Sequence, residues 1–236
     1  VFKAILEVVK FVEPDEIVHI GDLMDYPQPS RWTKGTREEF EGNIYSASEA
    51  AKKAILEPLR AVFDGPIGIH EGNHDMRPRL YLEKYAPALS QTDMLNFENL
   101  LDFDGFGITR LPDFYNVAAG WITTHGHLGG IRLNQNAGMT ALNGAKRIGK
   151  NIIMGHTHRA GVSSFTQGIE GQTNTITGVE VGHILNPKAV TYLRGASGNW
   201  QQGFALLEID KNNVTPRILP VLGNKVIVDG VVFPTR

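Results

Sequence analysis

Glu16-Ile17-Val18-His19-Ile20-Gly21-Asp22 is the stretch on which the fold turns. Its short apolar, β-rich run breaks abruptly at Gly21-Asp22, the pattern of a buried strand that delivers a carboxylate at its carboxyl end. Upstream, Val1 to Val12 sets Ile5, Leu6, Val8, Val9 and Val12 on one face before Pro14 stops the run, which predicts a helix. A helix feeding such a strand is α/β layering. The pattern then recurs. An Ala/Glu/Lys-rich stretch from Gly35 to Phe63 reads as helix, and Pro66-Ile67-Gly68-Ile69-His70 reads as a strand running into Gly72-Asn73-His74-Asp75. Residues 76–103 predict two short helices and residues 106–124 two strands, the second spanning Val117 to Thr124 before His125-Gly126-His127. A helix over 137–148 leads to the strand Asn151-Ile152-Ile153-Met154, which ends at Gly155-His156-Thr157-His158.

The last third differs. Apolar runs at 161–166, 176–185, 189–193, 203–209, 214–222 and 225–233, separated by Gly and Asn turns, predict mostly β-strand. No repeat or low-complexity linker divides the 236 residues, so residues 1–236 read as a single domain. Apolar residues at 42% and charged residues at 20% fit a folded globular chain and not a disordered one. The formal charge of -2 gives no global positive field for a long nucleic acid, leaving only a local basic groove for such a partner. With no cysteine, disulfide frameworks, thiolate zinc sites and Cys nucleophiles are excluded, and any metal must be held by N and O ligands. No apolar stretch approaches the roughly 18 to 20 residues of a membrane span. The expectation is a soluble, cytoplasmic protein with no membrane partner; the oligomeric state is not readable.

Polar side chains of ligand type thus recur at the carboxyl ends of four apolar strands, where open α/β sheets build their sites. Of eight histidines, His74, His125, His127, His156 and His158 lie there, beside Asp22, Asp25, Asn73 and Asp75. Imidazole and carboxylate suit Zn, Mn, Fe or Ni, and an Asn oxygen adds a hard neutral donor. Two such ions roughly 3.5 to 4 Å apart clamp a phosphoryl group and activate water for in-line displacement. Phosphoester hydrolysis is the chemistry this donor set suggests.

Gly21-Asp22-Leu23-Met24-Asp25, Gly72-Asn73-His74-Asp75, His125-Gly126-His127 and Gly155-His156-Thr157-His158 together resemble, in order and spacing, the calcineurin-like metallophosphoesterases. The resemblance covers residues 1–160; the tail with Gly198-Asn199-Trp200-Gln201-Gln202-Gly203-Phe204 is similar, less specifically, to the β-rich ends of small bacterial and phage members. It implies a four-layer αββα sandwich of two mixed sheets flanked by helices. It implies two divalent ions, Mn²⁺ foremost with Fe, Zn, Ni or Mg as alternatives. Asp22 would bridge both, Asn73, His125 and His156 would ligate the second, and His158 the first. His74 would be the general acid or phosphate stabiliser, held by Asp25, with a metal-bound hydroxide as nucleophile. Asp75 would be structural. Asn73, His127 and Arg159 would meet the substrate. The expected substrate is a small or cyclic nucleotide diester, with a phosphomonoesterase or protein phosphatase, a single-strand nuclease and a non-catalytic scaffold as alternatives.

One departure matters: the family's opening Asp-x-His motif occurs nowhere in this chain. The chain starts at Val1 inside the first helix, so the expectation is a first strand lacking at the N-terminus and one metal site incomplete as a result; true loss is the rival explanation. His70-Glu71-Gly72-Asn73-His74 has the His-Glu-x-x-His spacing of zinc peptidases, but the preceding strand signal and the Gly-Asn pair oppose the helix that motif requires. His70, His19 and His183 read as satisfied strand histidines. Asp102-Phe103-Asp104-Gly105 reads as a turn and not a calcium loop, and Ser197 as a turn residue. Arg77, Arg79 and Arg159 could receive phosphate oxygens or serve solubility. Tyr26, Trp32 and Tyr45 are assigned to packing, with base stacking as the alternative.

Overall fold

Helix α1 (Phe2–Val12) ends as the spacing predicts: Glu13 adopts a left-handed φ of 49° and Pro14 has no N–H to continue the ladder. The computed structural model describes residues 1–186 and 198–235, so the run at 189–193 and Ser197 lie outside the described residues. The protein is α/β with mixed and antiparallel sheets, and it divides into two compact units, Val9–Pro112 and Val1–Val8 with Asp113–Arg236. Among the described residues no helix is long and apolar enough to cross a membrane.

The Val9–Pro112 unit is built on three parallel strands, β1 (Ile17–His19), β2 (Ile67–Ile69) and β3 (Ile108–Arg110), in that order. The helical stretch expected over 35–63 is interrupted. Helix α2 (Arg37–Phe40) stops at an extended Glu41, Gly42 takes φ 74°, and Asn43 caps α3 (Ile44–Ala51) by accepting from the Ser46 N–H. A π-turn over Lys52–Leu56 joins α3 to α4 (Glu57–Arg60), with Glu57 N–H reaching Lys52 O. Pro58 cannot donate to Ala54, and the wide turn accommodates the missing bond. After β2 come α5 (Arg77–Tyr85), α6 (Phe97–Leu100) and α7 (Phe103–Phe106); Asp102, expected in a turn, caps α7 by accepting from Gly105 N–H. Leu56, Ile67, Ile69, Phe97, Leu101 and Phe103 form the core between strands and helices.

The second unit holds a five-stranded mixed sheet. The segment read as one strand over 117–124 is a hairpin, β4 (Tyr115–Ala118) and β5 (Trp121–Thr124), because Gly120 turns the chain at φ 73°. A crossover through α8 (Met139–Ile148) returns to β6 (Asn151–Met154), followed by β7 (Ala160–Ile169) and β8 (Gln172–Val181). The order is β4-β5-β6-β8-β7, with β5, β6 and β8 parallel. Side chains alternate along β6: Ile152 and Met154 pack with Ala141, Leu142 and Ala145 of α8, while Ile153 joins Trp121 and Val179 on the opposite face. That face is covered by Leu207, Val214 and Ile218 of the ribbon β9 (Gly203–Asp210) and β10 (Asn213–Pro220). The hairpin β11 (Lys225–Val228) and β12 (Val231–Pro234) completes the unit.

Candidate functional site

Just beyond β1 the backbone of Asp22 is left-handed, at φ 53°, a region that Asp enters more readily than most side chains and that its surroundings hold here. Asp75 does the holding. Its carboxylate is 1% exposed and accepts the N–H groups of Asp22 (2.7 Å), Met24 (2.8 Å) and Gly72 (2.8 Å), stapling the loops after β1 and β2 together. The Asp22 carboxylate accepts in turn from the His74 N–H at 2.9 Å. Gly72 is required by this closeness, since a Cβ there would stand 2.1 Å from Asp22 Oδ1 and 2.3 Å from Asp22 N.

These loops bring Asp22, Asp25, His74 and Arg77 together. His74 Nδ1 lies 2.6 Å from Asp25 Oδ1, and His74 Nε2 lies 3.9 Å from Asp22 Oδ2. Arg77, at the start of α5, donates from Nη1 to Asp25 O (2.6 Å) and Oδ1 (2.8 Å), and its Nη2 is 3.3 Å from His74 Nε2. A guanidinium can only donate, so the group is satisfied with the ring proton on Nδ1, facing Asp25, and with Nε2 accepting. The hydrogen bond from His74 holds the Asp25 carboxyl below its ordinary range; Arg77 adds to this and desolvation opposes it. Asn73 sits in the turn that follows Gly72. Residues 70–74 are not helical, so the His-Glu-x-x-His spacing builds no peptidase face. His70 extends the ladder by donating its N–H to His19 O (2.9 Å), and His19 Nδ1 accepts from Gly21 N–H (3.2 Å). Arg79 is engaged by Glu83, Ser90 O and Thr92 O.

The aromatic expectations divide. Tyr26 is buried and hydrogen-bonded to Ser48, as packing requires. Trp32 and Tyr45, also assigned to packing, are instead 75% and 52% exposed, because each lies on the surface segment between β1 and α4, outside the core.

In the second unit the histidines that follow β5 and β6 form their own group. Ring centroids of His125 and His156 are 5.0 Å apart, those of His125 and His127 5.2 Å, and those of His127 and His156 6.2 Å. His156 and His158 both have left-handed backbones, φ 64° and 58°, which turn successive side chains in different directions. Between them Thr157 is pinned from below, its hydroxyl donating to Glu180 Oε2 at 2.8 Å. Glu180, 0% exposed on β8, also accepts the Thr140 (2.9 Å) and Ala141 (3.3 Å) N–H groups in the first turn of α8, where the helix dipole favours its charge. Arg159 Nε is buried without a hydrogen-bond partner among the described residues.

Glu180 is a residue the sequence did not mark, and His183 and Trp200 take a place beside His158 that it did not assign. Trp200 meets His158 edge to face at 4.5 Å, and His183 lies 5.7 Å from His158. The tail segment comes here through Gln201 N–H, which donates to His158 O, and His183 N–H, which donates to Gln201 O. His183, expected to be satisfied, has a buried Nδ1 with no hydrogen-bond partner among the described residues. Burial pushes its imidazole down to about 4, with the charge of His158 contributing. A Trp within a Gly-Asn-Trp-Gln-Gln-Gly turn between two strands was the available signal.

The first unit therefore offers an Asp-His pair beside a second carboxylate, an arrangement suited to proton transfer, and the second a cluster of imidazoles suited to borderline divalent ions. The chain is 54% identical over 232 residues to a Gene 54 protein of Mycobacterium phage D29 and 52% identical over 232 residues to that of Mycobacterium phage L5. Each match covers 98% of this chain and 91% of the relative. No protein-family model and no solved structure matches the chain.

Proposed function

The chain belongs to the family of mycobacteriophage Gene 54 proteins, and we propose that it is a cytoplasmic metal-dependent phosphoester hydrolase acting on small or cyclic nucleotide diesters. The strands would then form the four-layer αββα sandwich of the metallophosphoesterases. The observation that carries the reading is the Asp25-His74-Arg77 group, assembled from two motifs 49 residues apart. A hydrogen-bonded Asp-His pair capped by an arginine has little structural use on a half-exposed loop, whereas it fits protonation of a leaving oxygen.

Asp22, Asn73, His125, His156 and His158 would hold two divalent ions, Mn²⁺ foremost. The imidazole cluster fits that role chemically. When bound, such ions supply an activated water and neutralise phosphate charge. The chain's own groups do the rest. Asp25 fixes the His74 ring, and for His74 to protonate a leaving oxygen the ring must first take up a second proton from solvent at Nε2 as the Arg77 contact there yields, which frees the guanidinium for phosphate oxygens. Arg159 offers a buried donor that a phosphate oxygen would satisfy, and Asn73 and His127 complete substrate binding.

The test is hydrolysis of bis-p-nitrophenyl phosphate and p-nitrophenyl phosphate with added Mn²⁺, with metal counted per chain. Diester cleavage is expected, falling about 10²- to 10⁴-fold in His74→Ala with metal retained. His125→Ala and His156→Ala should lose metal and activity together. Preferential cleavage of the monoester would make it a phosphatase. Metal binding without cleavage of either ester would support a second reading, a non-catalytic binding protein.

A further inference from the structure

The Val9–Pro112 unit carries a surface that the hydrolase reading does not use. Trp32 is 75% exposed, and Tyr81 and Tyr85 are also exposed, with ring centroids 4.7 Å apart. Cations lie on these rings. Lys34 Nζ is 3.7 Å and Lys84 Nζ 5.2 Å from the Tyr85 centroid, and Arg31 Cζ is 4.6 Å from the Trp32 ring. Elsewhere in the unit Arg37, Lys52, Arg79 and Arg110 are matched to carboxylates. Arg31, Lys34 and Lys84 make no ion pair among the described residues. Nearby acids are partly spent, Glu41 on Arg37 and Glu39 on the Gly35 N–H. Two ammonium groups converging on one exposed ring repel each other, and a polyanion relieves that repulsion. Exposed rings whose neighbouring cations have no carboxylate partner suit a single strand: a phosphate that draws a cation off a ring leaves that face open to an unstacked base.

We infer that the surface formed by Arg31, Trp32, Lys34, Tyr81, Lys84 and Tyr85 binds single-stranded DNA. Neither ring faces nor cationic donors need a 2′-hydroxyl, so a DNA strand satisfies every contact that the surface offers. A duplex hides its base faces and gains nothing from the rings. The inference goes beyond the hydrolase reading and does not rest on it, since binding here involves no proposed metal ligand.

The experiment is fluorescence anisotropy of labelled oligo(dT), oligo(U) and a duplex, on the full chain with a chelator present so that hydrolysis plays no part. Oligo(dT) is expected to bind best. Its log affinity should fall with log salt at a slope of about -2, for three cations at roughly 0.7 each. Tyr85→Ala and Trp32→Ala should each weaken binding about 5- to 150-fold, and Lys34→Ala with Lys84→Ala should flatten the salt slope. All four residues are exposed, so circular dichroism should show the variants folded. Absence of oligo(dT) binding at low salt overturns the inference, as does binding that the four substitutions leave unchanged, equal affinity for duplex, or tighter binding of oligo(U). Loss of ester hydrolysis with oligo(dT) binding intact would sink the hydrolase reading alone.

Discussion

Single side chains hold the strained loops in place, and their removal should be felt beyond their own contacts. Asp75 accepts three backbone N–H groups, so Asp75→Asn must turn an amide donor toward at least one of them. The variant should lose about 2 to 3 kcal/mol in urea unfolding. Glu180 serves the second unit in the same way, and Thr157 passes its hold to the left-handed backbones of His156 and His158. Thr157→Val should cost about 1 to 2 kcal/mol and weaken Mn²⁺ binding, while Thr157→Ser, which keeps the hydroxyl, should restore both; equal metal affinity in the two variants would show that the hydroxyl positions nothing. Burial pushes the His183 imidazole from 6.5 down to about 4, so between those values the unfolded chain binds the proton that the folded chain refuses. Its contribution is full above pH 6.5 and is lost as pH falls toward 4. In metal-free protein the drop in urea midpoint from pH 7 to pH 4.5 should shrink in His183→Gln; an unchanged drop would assign the pH dependence to other groups.

Elements were legible where one period ran without a turn. The strands over 17–19, 67–69 and 151–154 follow from short continuous apolar runs, and the helices over 2–12 and 139–148 from helical spacing of their apolar residues. Hairpins were harder to see. The run at 225–233 is two strands, since Asp229 and Gly230 both take positive φ and reverse the chain, a turn whose Asp-Gly signal was present but outweighed by continuous hydrophobicity. Gly120 splits 115–124 in the same way. Glu180 could not be foreseen, because a lone Glu in an apolar strand declares its purpose only when the N-terminus of α8 arrives beside it. That arrival depends on Gly178, where a Cβ would stand 2.0 Å from Leu142 N and 2.4 Å from Ala141 C. Backbone cannot step aside as a side chain tip can, so Gly178→Ala should push α8 off β8 and lower stability by about 2 to 4 kcal/mol. A melting temperature equal to that of the parent would show that the helix shifts at no cost.

For the whole molecule, the sequence motifs and the two units bear on one question, whether ligands drawn from both serve the same ions. Each unit has its own core, so each can report its own unfolding. Trp32 belongs to one unit and Trp121 and Trp200 to the other, which allows single-tryptophan variants to follow them separately. A ligand that binds only the folded state stabilises it by about 2.7 kcal/mol at a hundredfold excess over its dissociation constant. If Asp22 and Asn73 act with His125, His156 and His158, Mn²⁺ at that excess should raise the melting transition seen from both units, because release of the ions then requires either one to unfold. Asp22→Asn, although it lies in the first unit, should abolish the shift in the second. If the imidazoles bind alone, the Trp121 and Trp200 signal should rise with metal in Asp22→Asn as in the parent, and the Trp32 signal should not move. That second result would leave a histidine metal site in one unit and an acid-base pair in the other with no shared chemistry, and the phosphoester hydrolase reading would fall with it.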